Sequence, residues 1–145
     1  MIRSRRWLLA LFCFMLMLAT LVMPLSASAA PGAKHERGMI HLPANITEPV
    51  TLQVMDVSVT IPVGAMPKGG PVILKVTKTP DGGIQADFHP ERQFNKPVII
   101  KIGDAPIVYY IAKGKTTAIE TSDLDGDGKV GEFYSTHFSR YSGFY

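Results

Sequence analysis

The sequence predicts an all-β fold: a two-sheet antiparallel β-sandwich of about eight or nine short strands, preceded by an N-terminal signal helix. Three observations predict it. Apolar side chains recur at every second position in short runs, as with Val57, Val59 and Ile61 against Ser58 and Thr60, the pattern of a strand buried on one face. Gly, Pro, Asn and Asp break those runs roughly every 8–12 residues, the spacing of sandwich turns. No 3.6-residue apolar period follows the leader.

Residues 1–30 read as that leader. Arg3, Arg5 and Arg6 form a basic start, Trp7 to Met23 is almost wholly apolar, and Pro24 leads into small residues suited to signal peptidase, with cleavage after Ala29 or Ala30. The alternative is an uncleaved anchor, since the run approaches the roughly 20 residues that span a bilayer. Ser4, Arg5 and Arg6 also suggest twin-arginine export, although the very apolar core and short basic start favour the ordinary secretory route.

Removing the leader changes the charge argument. Fifteen Lys and Arg less the leader's three leaves twelve, against twelve Asp and Glu, so the mature chain is formally neutral. Nothing in it makes the basic footprint of a nucleic-acid binder. Cys13, the single cysteine, falls within the leader, which leaves no disulfide in the mature chain. The remaining length suits one domain.

In chain order, Pro31 to Gly38 reads as a flexible polar lead and residues 39–145 as the domain. Apolar runs at Met39–Leu42 and Val50–Val54 flank a polar turn containing the sequon Asn45-Ile46-Thr47. The stretch Val57 to Lys78 organises the remainder. A strand ends at Pro62, Pro67, Gly69 and Gly70 force the chain out of its ladder, and a second strand places Val72, Leu74 and Val76 on one face. After the turn Thr79–Gly83 come Ile84, Ala86 and Phe88, then Val98, Ile100 and Ile102 against Ile99 and Lys101. Further strands are expected at Ile107–Ile111, Thr116–Thr121, Val130–Tyr134 and Thr136–Phe144. An outer-membrane barrel is disfavoured, because its strands need about ten residues with a lipid-facing apolar set.

Three blocks, in order, resemble the ZU5 domain, a β-sandwich module of intracellular scaffold and receptor proteins: VTIPVGAMPKG at Val59–Gly69, FHPERQFNKPVIIKI at Phe88–Ile102 and THFSRYS at Thr136–Ser142. The resemblance spans about Val57 to Tyr145 and implies a non-enzymatic interaction module that works through its surface. The chain departs from familiar members in being a lone domain behind an export leader, so their partners do not transfer.

Two motifs offer chemistry. In some relatives of that family the His-Phe-Ser motif cleaves itself. By that resemblance Ser139 would attack the Phe138 carbonyl with His137 as base, giving an ester that water hydrolyses. Residues two apart on a strand share a face, which would make His137 and Ser139 neighbours. Phe138 and Tyr141 both look like core residues yet stand three apart, which calls for a bulge near Ser139 or Arg140. The bland alternative has Phe138 anchoring the last strand and its neighbours hydrogen-bonding at the rim.

The second motif is DLDGDGKVGEF. Asp123, Asp125 and Asp127 before Gly128 match the opening of a calcium loop, with the Lys129 backbone and Glu132 as further candidate ligands. The match then lapses, because the position expected to carry a bidentate Glu is Tyr134 and no helix flanks the loop. The simpler reading is an acidic, glycine-rich hairpin between two strands, with Asp-Gly as its turn pair. The four histidines lack zinc spacing.

The expected function is therefore a secreted or periplasmic interaction or structural module whose partner is a protein or cell-envelope component. It would bind neither nucleic acid nor, once the leader is removed, membrane, and calcium is the only cofactor suggested. The alternatives are a self-processing domain and a calcium-dependent surface or carbohydrate binder.

Overall fold

The computed structural model describes residues 32–144, so the expected leader and its cleavage site lie outside the described residues. Ten strands form: β1 (Lys34–Leu42), β2 (Val50–Val54), β3 (Val57–Ile61), β4 (Gly70–Lys78), β5 (Gly83–His89), β6 (Gln93–Ile102), β7 (Ile107–Ala112), β8 (Lys115–Glu120), β9 (Glu132–His137) and β10 (Arg140–Phe144). They make two antiparallel sheets, one in the order β1-β4-β5-β10-β7-β8 and the other β2-β3-β6-β9.

The alternating residues supply the core as their period requires. Val57, Val59 and Ile61, Val72 and Leu74, Val98, Ile100 and Ile102 are all fully buried. Ile84, Ala86 and Phe88 join them from β5. Burying one such side chain contributes roughly 1.5–3 kcal/mol, so a fold built on these runs has its register fixed by them. A one-residue slip would turn every one toward water. The organising pair is split by its glycine and proline turn: β3 and β4 stand in different sheets and meet across the core.

Three expectations are corrected. The segment read as a flexible lead is, from Lys34 onward, the first half of β1, laddered to β4 with Lys34 opposite Lys78 and Gly38 opposite Leu74. Its side chains are mostly exposed, so pairing is set by the open edge of β4 and leaves no apolar period to read. Val130 is outside β9, which starts at Glu132, and Thr136 and His137 belong to β9. No bulge interrupts a single last strand. Phe138 and Ser139 form a corner through which the chain passes from the four-stranded sheet to the six-stranded one, so Phe138 and Tyr141 both point inward from different sheets.

Two turns depend on left-handed backbone. Lys113 and Gly114 both have positive φ, 47° and 73°, the geometry of a two-residue type I′ hairpin between β7 and β8. At Gly131, with φ 115°, a Cβ would lie 2.2 Å from the Gly103 carbonyl oxygen. The Gly131 carbonyl itself accepts a 2.9 Å hydrogen bond from Ile102 N–H, so the close approach is part of the β9 entry. Gly131→Ala is expected to lower unfolding free energy by about 2 kcal/mol or more. Urea denaturation with an unchanged midpoint would refute this.

Candidate functional site

Two places gather polar side chains. The first is the β9–β10 corner. Phe138 is locked by packing: its ring stacks on Phe88 at 5.1 Å between centroids and meets Phe94 edge-on at 4.6 Å. Its N–H donates to the Arg92 carbonyl at 3.0 Å, and Phe88 N–H donates to the Ser139 carbonyl at 3.1 Å. The His137 carbonyl accepts from Ser135 Oγ at 2.7 Å, and the Tyr141 hydroxyl lies 3.1 Å from the same oxygen and 2.9 Å from Ser135 Oγ. The chain on both sides of the Phe138–Ser139 bond is therefore held.

His137 and Ser139 were expected to be neighbours on one strand face, and the corner separates their roles. The His137 ring packs edge-on against Tyr110 with centroids 5.0 Å apart. Among the described residues no hydrogen bond joins His137 to Ser139. None of His137, Phe138 and Ser139 has positive φ, so the strain a bulge was expected to store is not in these backbone angles.

Burial pushes the Tyr141 phenol up to about 12, with the Ser135 hydrogen bond opposing and nearby Tyr110 adding to the rise. Unfolded, the phenol titrates near 10, so above that pH the unfolded chain ionises first. The stabilisation present below pH 10 is then lost as pH rises toward 12, amounting to roughly 2–3 kcal/mol from this group. Tyr141→Phe should flatten that part of the alkaline unfolding curve, and an identical slope in both proteins would contradict it.

A cleft of about 860 Å³ opens at this end of the sandwich, between the ends of β5 and β7, the start of β6 and the corner. Arg92, which the sequence does not single out, and Tyr110, one of the aromatic residues that enrich the second half of the chain, line it together with His137. Arg92 spends its terminal nitrogens on the entry to β4, Nη2 donating to the Pro71 carbonyl at 3.2 Å and Nη1 to the Gly69 carbonyl at 3.5 Å.

The second place is the acidic loop. Carboxylate oxygens of Asp123, Asp125 and Asp127 lie within 4.8 Å of one another, as a calcium loop requires, and all three residues are exposed. Asp123 caps the loop by accepting from Gly126 N–H at 2.7 Å and Gly128 N–H at 2.9 Å. A cation is already supplied by the chain. Lys101 Nζ stands 2.8 Å from Asp127, 3.3 Å from Asp125 and 3.1 Å from Glu132.

Glu132 is buried, faces Lys101 across the β6–β9 ladder, and its second oxygen accepts from the Leu124 and Asp125 N–H groups at 2.7 and 3.0 Å. The Lys129 amide donates to Asp127 at 2.8 Å, while its ammonium reaches Asp104 at 3.5 Å. The hydrogen bond to Asp127 is the chief cause holding the Lys101 ammonium far above its ordinary range, against the opposing effect of burial. The Asp125 carboxyl is lowered, first by the Asp127 backbone N–H, with Lys101 assisting. Of the candidate ligands, the structure thus brings the three aspartates together and commits Glu132 to Lys101.

No protein-family model matches the sequence, and no curated protein matches it either. The likeness to ZU5 domains rests on its three sequence blocks.

Proposed function

We propose that the chain is an exported, non-enzymatic β-sandwich interaction module, similar in kind to ZU5 domains, that docks a protein partner in the cleft at the β9–β10 corner. The observation carrying this reading is how the His-Phe-Ser motif is spent. Phe138 fills the core, its flanking peptide groups are hydrogen-bonded, and the His137 ring packs on Tyr110 at the wall of an open cleft. Side chains committed this way shape a surface rather than assemble a nucleophile and base. The cleft volume falls in the roughly 300–1,000 Å³ range of ligand sites.

The test is capture by the mature protein, residues 31–145, from its own cell envelope after cross-linking. Two variants serve as comparison: Lys113→Glu at the rim of the cleft and Lys129→Glu beside the acidic loop. A partner held by the parent protein and the Lys129 variant but lost with Lys113→Glu supports the reading. Equal recovery by all three overturns it.

A further inference from the structure

A sheet edge is a row of unpaired N–H and C=O groups, and folded proteins ordinarily cover it, charge it or interrupt it. β1 and β2 close on each other along one side of the sandwich, where a Cβ on Gly38 would stand 2.5 Å from the Val54 side chain and 3.2 Å from that of Leu52. On the other side β8 and β9 meet at one point, Ser122 and Glu132 exchanging hydrogen bonds of 2.8 and 3.2 Å. Short of that bridge β8 has no ladder partner but β7 among the described residues, and every residue of the strand except Ile119 is exposed.

Successive residues of an antiparallel strand direct their backbone groups to opposite sides. The two-residue turn makes Ala112 and Lys115 a bonded pair, and Thr121 N–H donates to the Pro106 carbonyl at 3.1 Å, so Lys115, Thr117 and Ile119 face β7. Thr116, Ala118 and Glu120 therefore turn their N–H and C=O groups outward. Nothing in β8 guards them: it has no proline, glycine or bulge, and the Thr-Thr-Ala at its centre is short and uncharged. Its charges stand at the ends and are opposite in sign. Lys115 and the turn residue Lys113 lie at one end and Glu120 at the other, none of them in an ion pair among the described residues. A strand with that polarity is complementary to a second copy of itself running the other way.

We propose that two copies of the chain pair antiparallel along β8, joining their six-stranded sheets into one. Two conditions fix the register: outward residues must stand opposite outward residues, and the Ser122–Glu132 bridge bars the ladder beyond Glu120. A two-fold axis at Thr117 meets both. Thr116 of each copy then exchanges both ladder hydrogen bonds with Ala118 of the other, and Thr117 meets its own equivalent in a cross-strand Thr–Thr pair. Glu120 comes to the turn of the second copy, between its Lys113 and Lys115. Moving the axis to Ala118 would drive that turn into Glu132. The contact is isologous and closes at two copies. It uses a different surface from the corner cleft and does not depend on what docks there.

The experiment is sedimentation velocity of the purified protein, with backbone hydrogen exchange followed at low and high concentration. The expected result is a monomer–dimer equilibrium with a Kd on the order of 0.1 mM, weak because a six-residue edge buries less than the roughly 1,200 Å² of a stable interface. The Thr116 and Ala118 amides should gain protection as concentration rises, while those of Thr117 and Ile119, bonded to β7, are protected throughout. Ala118→Pro deletes an outward N–H and leaves the β7 ladder whole, so it should weaken pairing at least tenfold. Glu120→Lys, a surface change that leaves the backbone alone, should weaken it about fivefold by placing like charges together. A protein still monomeric at about 1 mM, roughly tenfold above that Kd, or a dimer indifferent to both substitutions, would overturn the proposal. Loss of a captured envelope partner with Ala118→Pro would show that the edge takes a foreign strand and would overturn the assignment to a second copy, whereas the cleft is judged separately by Lys113→Glu in the capture experiment.

Discussion

Lys101→Met is expected to lower unfolding free energy by roughly 2–4 kcal/mol, because it strands a buried carboxylate rather than merely removing a surface charge. Glu132 has a side chain only 4% exposed, and its counter-charge is the Lys101 ammonium 3.1 Å away. Asp125 and Asp127 share that ammonium, so the substitution leaves three like charges facing one another without a cation. An exposed ion pair contributes only about 0–1 kcal/mol, and the burial of Glu132 is what raises the expected loss above that range. A divalent ion should then find in the variant what Lys101 supplies in the parent. Millimolar calcium is expected to restore part of the lost stability to Lys101→Met and to leave the parent unchanged.

Urea unfolding with calcium or with chelator reads both effects. A variant as stable as the parent in chelator would refute the account of Glu132, and equal calcium stabilisation of the two proteins would show that Lys101 does not hold the cation position. The acid limb carries a related signature. The Asp125 carboxyl is lowered in the folded protein, so its contribution is present above the ordinary carboxylate range and is lost as pH falls through the lowered value.

The strands on which the core depends were legible because burial imposes its period directly on the sequence. Val57 to Ile61 and Val98 to Ile102 can be read from spacing alone, since each second side chain must leave water. β1 was illegible from Lys34 to Gly38 for the converse reason. An edge strand with exposed side chains is held by backbone pairing, which places no demand on residue type. The last strand shows a third case. Spacing revealed that Phe138 and Tyr141 could not alternate on one regular strand, but a bulge and a change of sheet break the period alike, and only the paths of β9 and β10 distinguish them.

The acidic loop divides in the same way. Asp123, Asp125 and Asp127 announce themselves by local spacing, whereas Lys101 lies on another strand and reads in sequence as an ordinary solvent-facing residue of an alternating run. Arg92 had no local signal either, and Tyr110 only that of an aromatic-rich second half, because they come together only when the start of β6 and the end of β7 are brought to the same cleft.

Phe138→Ala and Ser139→Ala should part company sharply, and the difference separates an anchoring corner from a self-processing one. Phe138 is 2% exposed and touches Phe88 and Phe94 with its ring, so its removal empties a site shared by both sheets. Large-to-small changes of this kind cost about 3–5 kcal/mol, a considerable part of the roughly 5–15 kcal/mol that holds a domain folded.

Ser139 contributes its carbonyl to Phe88 N–H, and alanine keeps that hydrogen bond. Its substitution should cost less than about 1 kcal/mol. If the corner only anchors the strand, the parent and Ser139→Ala will each show one intact mass after prolonged incubation, and only Phe138→Ala will unfold early in urea. A parent fragment ending at Phe138 that disappears in Ser139→Ala would instead establish attack by the Ser139 hydroxyl on the Phe138 carbonyl. The packing observed around Phe138 would then be the device that holds the scissile bond, and the interaction-module reading would have to admit a processing step.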